Sequence, residues 1–307
     1  MTSGINTSMT ARVWGMLILL SVLWGGSFYF VGVVVNELPP LTIVTLRVGM
    51  AAIALWVFAF IVGIKFPKDL KIWAAFLGMG VLNNVIPFTL IVLGQTQIAS
   101  GLASILNAST PIFAVVVAGL LLPDERVTPL KLVGVVVGFV GVVVMIGLPA
   151  LSGQGNLMAQ LAIICAALSY SFAGVFGRRF KTMGINPILT AAGQVTASTL
   201  ILIPITLTID GQLDFSTVST QTWVSMTALA VFSTAAAYVL YFRILEVAGA
   251  TNVLLVTLLV PVSAILLGSM FLNESLQLIH FFGMTLIALG LSAIDGRLWK
   301  RREVIES

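Results

Sequence analysis

Residues 125–141 read ERVTPLKLVGVVVGFVG and residues 274–290 read ESLQLIHFFGMTLIALG. Glu125, Gly134 and Gly141 recur as Glu274, Gly283 and Gly290, each 149 positions later. The first copy carries Arg126 and Lys131 ahead of its apolar run, whereas the second has no Lys or Arg. Cytoplasmic loops of membrane proteins keep Lys and Arg because carrying them across the bilayer during insertion is unfavourable. The two copies therefore read as entering a membrane from opposite sides.

The same contrast runs along the whole chain. All but one of its fifteen Lys and Arg fall in alternate gaps between apolar segments: Arg12; Lys65, Lys68 and Lys71; Arg126 and Lys131; Arg178, Arg179 and Lys181; Arg243; and Arg297, Lys300, Arg301 and Arg302. The intervening gaps, around 36–41, 95–98, 150–156, 210–221 and 273–277, have none. With 59% hydrophobic and 8% charged residues, the outer surface must face lipid, since a soluble chain carries about 25% charged residues. The net charge of +4 is spread over thin strips, which excludes a clustered nucleic-acid surface. Cys165, the single cysteine, excludes a disulfide framework and is expected as a small buried core residue.

A span needs about 20 apolar residues. Such segments run near 12–35, 41–63, 72–94, 99–122, 130–149, 157–177, 188–209, 222–243, 249–272 and 278–297. The first is too long for the about 7–15 residue core of a signal peptide and reads as a retained span. Ten spans place both termini in the cytoplasm. Further echoes mark a duplication: Trp73 recurs as Trp223 and Pro111 as Pro261 at an offset of 150, and Pro40 as Pro187 at 147. Because five spans is an odd number, the second copy is inverted. The expected fold is all-α and integral to the membrane, with two inverted five-helix repeats, residues 1–150 and 151–307, around a central cavity. Two such copies exchanging shapes would open that cavity to one side and then the other.

Ten spans in two halves, the stretch Leu23-Trp24-Gly25-Gly26-Ser27-Phe28, the central prolines of spans four and nine, and the Glu-x8-Gly-x6-Gly pattern resemble the drug/metabolite transporter superfamily. Over residues 12–297 the chain is similar to ten-span exporters with two EamA repeats, and among these to bacterial YddG-like amino-acid exporters. The resemblance implies a multi-pass protein of the bacterial inner membrane that exports amino acids, often aromatic ones, or related metabolites. It implies a small-molecule substrate and the lipid bilayer as partners, no nucleic acid, and no cofactor. Two repeats in one chain are compatible with a monomer.

Polar side chains within spans are costly and should face the bundle interior. In span three Gly80, Asn83, Asn84, Pro87 and Ile91 share a helical face, and at an offset of 150 span eight supplies Ala230, Ser233, Thr234, Ala237 and Tyr241, with Tyr238 beside them opposite Phe88. Span four adds Asn107. With Trp24, Phe28, Tyr170 and Phe176 these describe an apolar pocket with a few directed polar groups, suited to an uncharged or zwitterionic metabolite. Pro87, Pro111 and Pro261 each remove a backbone hydrogen bond mid-helix, which marks either a gating hinge or a static bend. The glycines of the opening stretches suit close helix packing.

Arg47 breaks the charge ladder, lying about 9 Å into span two. It reads either as an anchor for a substrate carboxylate, or as a residue that snorkels outward to pair with Glu37 or Glu274. His280, the single histidine, is a titratable candidate or a structural residue at the outer end of span ten. No acid lies deep in a span, which disfavours a pump for lipophilic cations and leaves facilitated diffusion ahead of proton coupling. No phosphate-cradling Gly-x4-Gly-Lys motif is present, and the inventory lacks the nucleophile–base sets or clustered metal ligands of an enzyme. Drug efflux and a channel-like facilitator are the alternative functions.

Overall fold

The computed structural model describes residues 10–98, 100–125, 127–146, 157–211, 214–271 and 277–295, and within these the chain is helical with no strand. Helices α1 (Ala11–Val34), α2 (Pro40–Ile61) and α3 (Leu70–Gln95) are followed by α4, built as Ser100–Asn107 continuing into Thr110–Leu121, and by α5 (Pro129–Ile146). The second half holds α6 (Leu157–Gly177, with a further turn Arg179–Thr182), α7 (Pro187–Ile209) and α8 (Thr220–Ala248). It ends with α9, Ala250–Leu254 continuing into Val256–Phe271, and α10 (Leu278–Asp295). Among the described residues seven helices, α1 to α4 and α6 to α8, are long and apolar enough to cross a membrane. The apolar stretches of α5, α9 and α10 are shorter, Pro129–Val144, Ala250–Ser263 and Leu278–Ile294.

Local chemistry sets the ends. Thr10, Asp69, Asn186 and Ser219 accept backbone N–H bonds at the starts of α1, α3, α7 and α8, the usual relief for a helix's unpaired first turn. α8 runs to Ala248, beyond the expected end at 243, and stops at Gly249, whose φ of 87° is a left-handed conformation that favours glycine. The outward faces are apolar, with Phe60, Leu70 and Leu120 among the most exposed side chains. Cys165 is exposed rather than buried. It shares the outward stripe of α6 with Leu161, Leu168 and Phe172, where a small apolar group faces hydrocarbon without penalty.

The glycines of the opening stretches bring α5 and α10 backbone to backbone. A Cβ on Gly134 would lie 2.7 Å from the Gly290 carbonyl, and one on Gly290 would lie 2.5 Å from the Gly134 carbonyl and 2.6 Å from the Gly138 nitrogen. Likewise a Cβ on Gly141 would lie 2.8 Å from the Gly283 carbonyl. The contacts are reciprocal between the two copies: Gly134 meets the counterpart of Gly141, and Gly141 meets the counterpart of Gly134. Backbone cannot yield as a side chain does, so Gly290→Ala should force the helices apart at an overpacking cost of about 1–3 kcal/mol. A lowered melting temperature in detergent is the expected result, and an unchanged one would show that the contact is slack.

α3 and α8 each contain one π-helical turn, Val81–Val85 and Val231–Ala236, at matching places in the two halves. The N–H groups of Ile86 and Ala237 reach back five residues, to the carbonyls of Val81 and Phe232. Pro87 has no N–H to offer the Asn83 carbonyl, and that oxygen lies 3.1 Å from the Tyr238 hydroxyl instead. α4 breaks just before Pro111, and the freed Asn107 carbonyl accepts from Thr110 Oγ1 at 2.6 Å. α9 breaks at Leu255, six residues ahead of Pro261, so the two halves differ in shape at this point.

Candidate functional site: a cavity beside Arg47 and a closure on the basic side

A cavity of about 50 Å³ lies where α1, α2, α3, α4, α6, α8 and α9 converge. Its α1 wall is Trp24, Ser27, Phe28 and Val31, one helical face at i, i+3, i+4 and i+7. Phe88, Ile91 and Gln95 contribute from α3, Asn107 from α4, Tyr170 from α6 and Tyr241 from α8. Leu254, Thr257 and Val260 of α9 complete it around Arg47. The α1 and α3 residues come from the halves of their helices away from the basic gaps, whereas Tyr170, Tyr241 and Leu254 come from the basic-side halves of α6, α8 and α9, so the cavity spans the middle of the bundle. At ~10–15 Å³ per water the cavity holds a few waters, and a larger ligand requires its walls to part.

Arg47 does not snorkel. It is 5% exposed, its Nε donates to Thr234 Oγ1 at 2.8 Å, and its guanidinium lies 3.7 Å over the Phe88 ring. Thr234 is held in turn by its own bond to the Leu229 carbonyl, which aims its free lone pair at the guanidinium. Glu37 is engaged elsewhere, accepting from the Ser219 backbone and hydroxyl at 2.8 Å each. Glu274 lies outside the described residues. Among the described residues Arg47 has no carboxylate partner, since the ion pairs there are Arg178 with Asp124 and Glu125, and Arg243 with Glu246. A buried cation is costly unless it meets an anion. Two cavity acceptors also lack a partner among the described residues: Asn107 Oδ1 and the Tyr241 hydroxyl are buried with no hydrogen bond to any of them.

The residues expected to bind substrate divide into two groups. Trp24, Phe28, Asn107, Tyr170 and Tyr241 line the cavity with Arg47. Asn83, Asn84, Thr234 and Tyr238 sit behind it and support it. Asn83 Nδ2 donates to Gln194 Oε1 at 3.1 Å and Asn84 Nδ2 to Ser198 Oγ at 2.8 Å, tying α3 to α7. The Tyr238 hydroxyl bonds Asn84 Oδ1, and its ring stacks on Phe88, its own repeat counterpart, at 6.3 Å and 8°. Asn83 and Asn84 lie within the π turn and bond to α7, whereas Phe88, Ile91 and Gln95, beyond it, line the cavity. Phe176 is also removed from the cavity, carrying the Arg179 guanidinium on its ring. His280 caps α10, its Nδ1 accepting from the Gln277 N–H at 3.1 Å.

At the basic end the helices are tied together by a cluster that none of these expectations included. Glu125, buried at 5% exposure just after α4, accepts from the backbone N–H groups of Ala250 and Thr251 at 2.8 and 2.9 Å and from Thr251 Oγ1. Arg178, after α6, donates to Glu125 at 3.3 Å and grips Asp124 with both Nη atoms. One carboxylate thus fastens the first half of the chain to the start of α9 and the end of α6.

The sequence profile of the EamA-like transporter family matches residues 13–147 and again residues 157–294. The chain belongs to this family. Among its relatives are an uncharacterized transporter of Archaeoglobus fulgidus, 28% identical over 91% of this chain and 97% of that one. A probable amino-acid metabolite efflux pump of Escherichia coli K12 is 26% identical over 93% of this chain and 96% of the other. A solved crystal structure at 17% identity superimposes with a TM-score of 0.73, covering 92% of this chain and 99% of that one, and so shares the fold.

For this EamA-family transporter, the Arg178–Asp124 pair has a defined pH signature. The hydrogen bond from Arg178 holds the Asp124 carboxyl below the usual carboxylate range. A depressed carboxyl stabilises the fold above its ordinary value near pH 4 and loses that contribution as pH falls through the lowered one. Asp124 is 48% exposed, so the contribution is under about 1 kcal/mol. The melting temperatures of wild type and Asp124→Asn should differ by a small constant from about pH 5 to 8 and converge below about pH 4. A gap that widens in acid would show that Asp124 is not paired.

Proposed function

We propose that this transporter exports small amino acids with apolar side chains, or closely related metabolites, by alternating access. The carrying observation is Arg47: a buried cation with no acid partner among the described residues, opening on a cavity with aromatic walls and two unoccupied acceptors. An α-amino acid supplies what this arrangement lacks. Its carboxylate meets the Arg47 guanidinium, its ammonium meets Asn107 Oδ1, the Tyr241 hydroxyl and the face of Trp24, and its side chain lies along Phe28, Ile91 and Val260. A lipophilic cation would be repelled by Arg47 and would find no carboxylate among the described cavity residues. The efflux-pump relative points the same way.

The inverted arrangement of residues 1–150 and 151–307 is supported by the reciprocal glycine contacts of α5 and α10, by Phe88 stacked on Tyr238, and by the matched π turns. In this state the Glu125 cluster closes the basic, cytoplasmic end next to the cavity. Transport then consists of breaking that cluster as the opposite end closes, with α4 bending just before Pro111 and α9 at Leu255, six residues ahead of Pro261. The protein functions in a bacterial inner membrane with both termini in the cytoplasm, and it needs no cofactor. Purified protein in liposomes preloaded with unlabelled leucine should accumulate labelled leucine, valine or phenylalanine in counterflow. Uptake of lipophilic organic cations with no movement of amino acids would overturn this reading.

A further inference from the structure

On the basic side, away from the Arg47 cavity, a groove of about 560 Å³ runs between α3, α4 and α6. Its walls are apolar, with Leu121 and Phe172 exposed at 55% and 41%, and its mouth carries Arg178, Arg179 and Lys181. We propose that this groove holds one anionic phospholipid of the cytoplasmic leaflet. The depth of the groove argues for a lipid over a soluble anion. Leu82 at its far end lies twelve residues into α3 from Leu70, about 18 Å of helix rise, which matches the roughly 15 Å of one leaflet's hydrocarbon. The mouth matches the headgroup. Arg179 lies with its guanidinium 3.3 Å over the Phe176 ring and has no carboxylate partner among the described residues, so its N–H edge is fixed and open to a phosphate. Lys181 uses one N–H on the Glu246 carbonyl at 2.9 Å and keeps two more. Arg178 is held by Asp124 and Glu125, so the phosphate falls to the outer two cations, beside the cluster that closes the cytoplasmic end.

Native mass spectrometry of the detergent-purified protein, titrated with dioleoyl phosphatidylglycerol or phosphatidylcholine, tests this. The wild type should retain phosphatidylglycerol selectively. R179Q/K181Q should lose roughly ten- to thirtyfold of that retention, the attraction of two basic groups for an anionic headgroup. K68Q/K71Q, which removes two exposed lysines of the same membrane face outside the groove, should keep it. Leu121→Trp leaves the charges in place but blocks the acyl track, and should also lose retention; if the double variant is not recovered folded, this variant decides. Unchanged retention in the groove variants, equal loss in K68Q/K71Q, or equal competition by glycerol 3-phosphate would each overturn the proposal.

Discussion

Arg47→Gln should reduce amino-acid counterflow by about 30-fold or more, because removing one partner of a buried charge pair costs about 2–5 kcal/mol. The loss should be selective. Transport of an amino-acid amide, which has no carboxylate to place, should change by less than about threefold, since the cavity walls at Trp24, Phe28 and Asn107, the contacts proposed for the rest of the substrate, are unaltered. Arg47→Lys should fall between the two. It keeps a positive charge but loses both the planar fork that matches a carboxylate and the flat stack on Phe88. The melting temperature of Arg47→Gln without substrate should not fall, because the variant removes a buried cation that no described acid compensates. A large stability loss together with equal effects on amino acids and amides would make Arg47 a structural residue held by Thr234 and Phe88.

Glu125→Ala should open the basic end. That carboxylate takes bonds from two backbone N–H groups, from Thr251 Oγ1 and from Arg178 at one buried point. Deleting one side of a buried charged cluster costs about 3–5 kcal/mol, enough to shift the equilibrium between closed and open forms by a hundredfold or more. Leu254 lines the cavity from α9, one turn beyond the fastened N–H groups. In a Cys165→Ser background, Leu254→Cys should react with a membrane-impermeant thiol reagent supplied on the basic side at least about tenfold faster when Glu125 is replaced by Ala. Thr251→Val, which removes only the hydroxyl contribution, should raise the rate modestly. An unchanged rate in Glu125→Ala would show that the basic end is closed by helix packing alone.

The helices were legible because lipid demands long apolar runs, and the charge ladder marked their order. Close packing at the glycines of α5 and α10 was legible too, since glycine is the residue that lets backbones meet, but not that these two helices meet each other. Along α1, Trp24 and Phe28 stand out in the sequence by position and chemistry, and Ser27 and Val31 share their face at i, i+3, i+4 and i+7. What a straight helical wheel could not supply was the π turn in α3. Asn83 and Asn84 lie inside that turn and bond to α7, while Phe88 and Gln95, beyond it, line the cavity. Nor could span position decide between the two readings of Arg47. The choice rests on Thr234 and Phe88, which sit on other helices and hold the side chain inside. Glu125 was visible only as a repeat marker at a helix end, where acids are usually solvated. Its burial depends on Ala250, Thr251 and Arg178, residues more than fifty positions away in sequence.

The most direct test of an Arg47-centred amino-acid site is competition in one assay: counterflow of labelled leucine into liposomes, challenged with unlabelled leucine, leucinamide and the decarboxylated amine of leucine. Leucine should abolish the signal, and the two analogues that lack a carboxylate should leave it largely intact. Competition by the amine as strong as that by leucine would contradict a carboxylate anchor at Arg47.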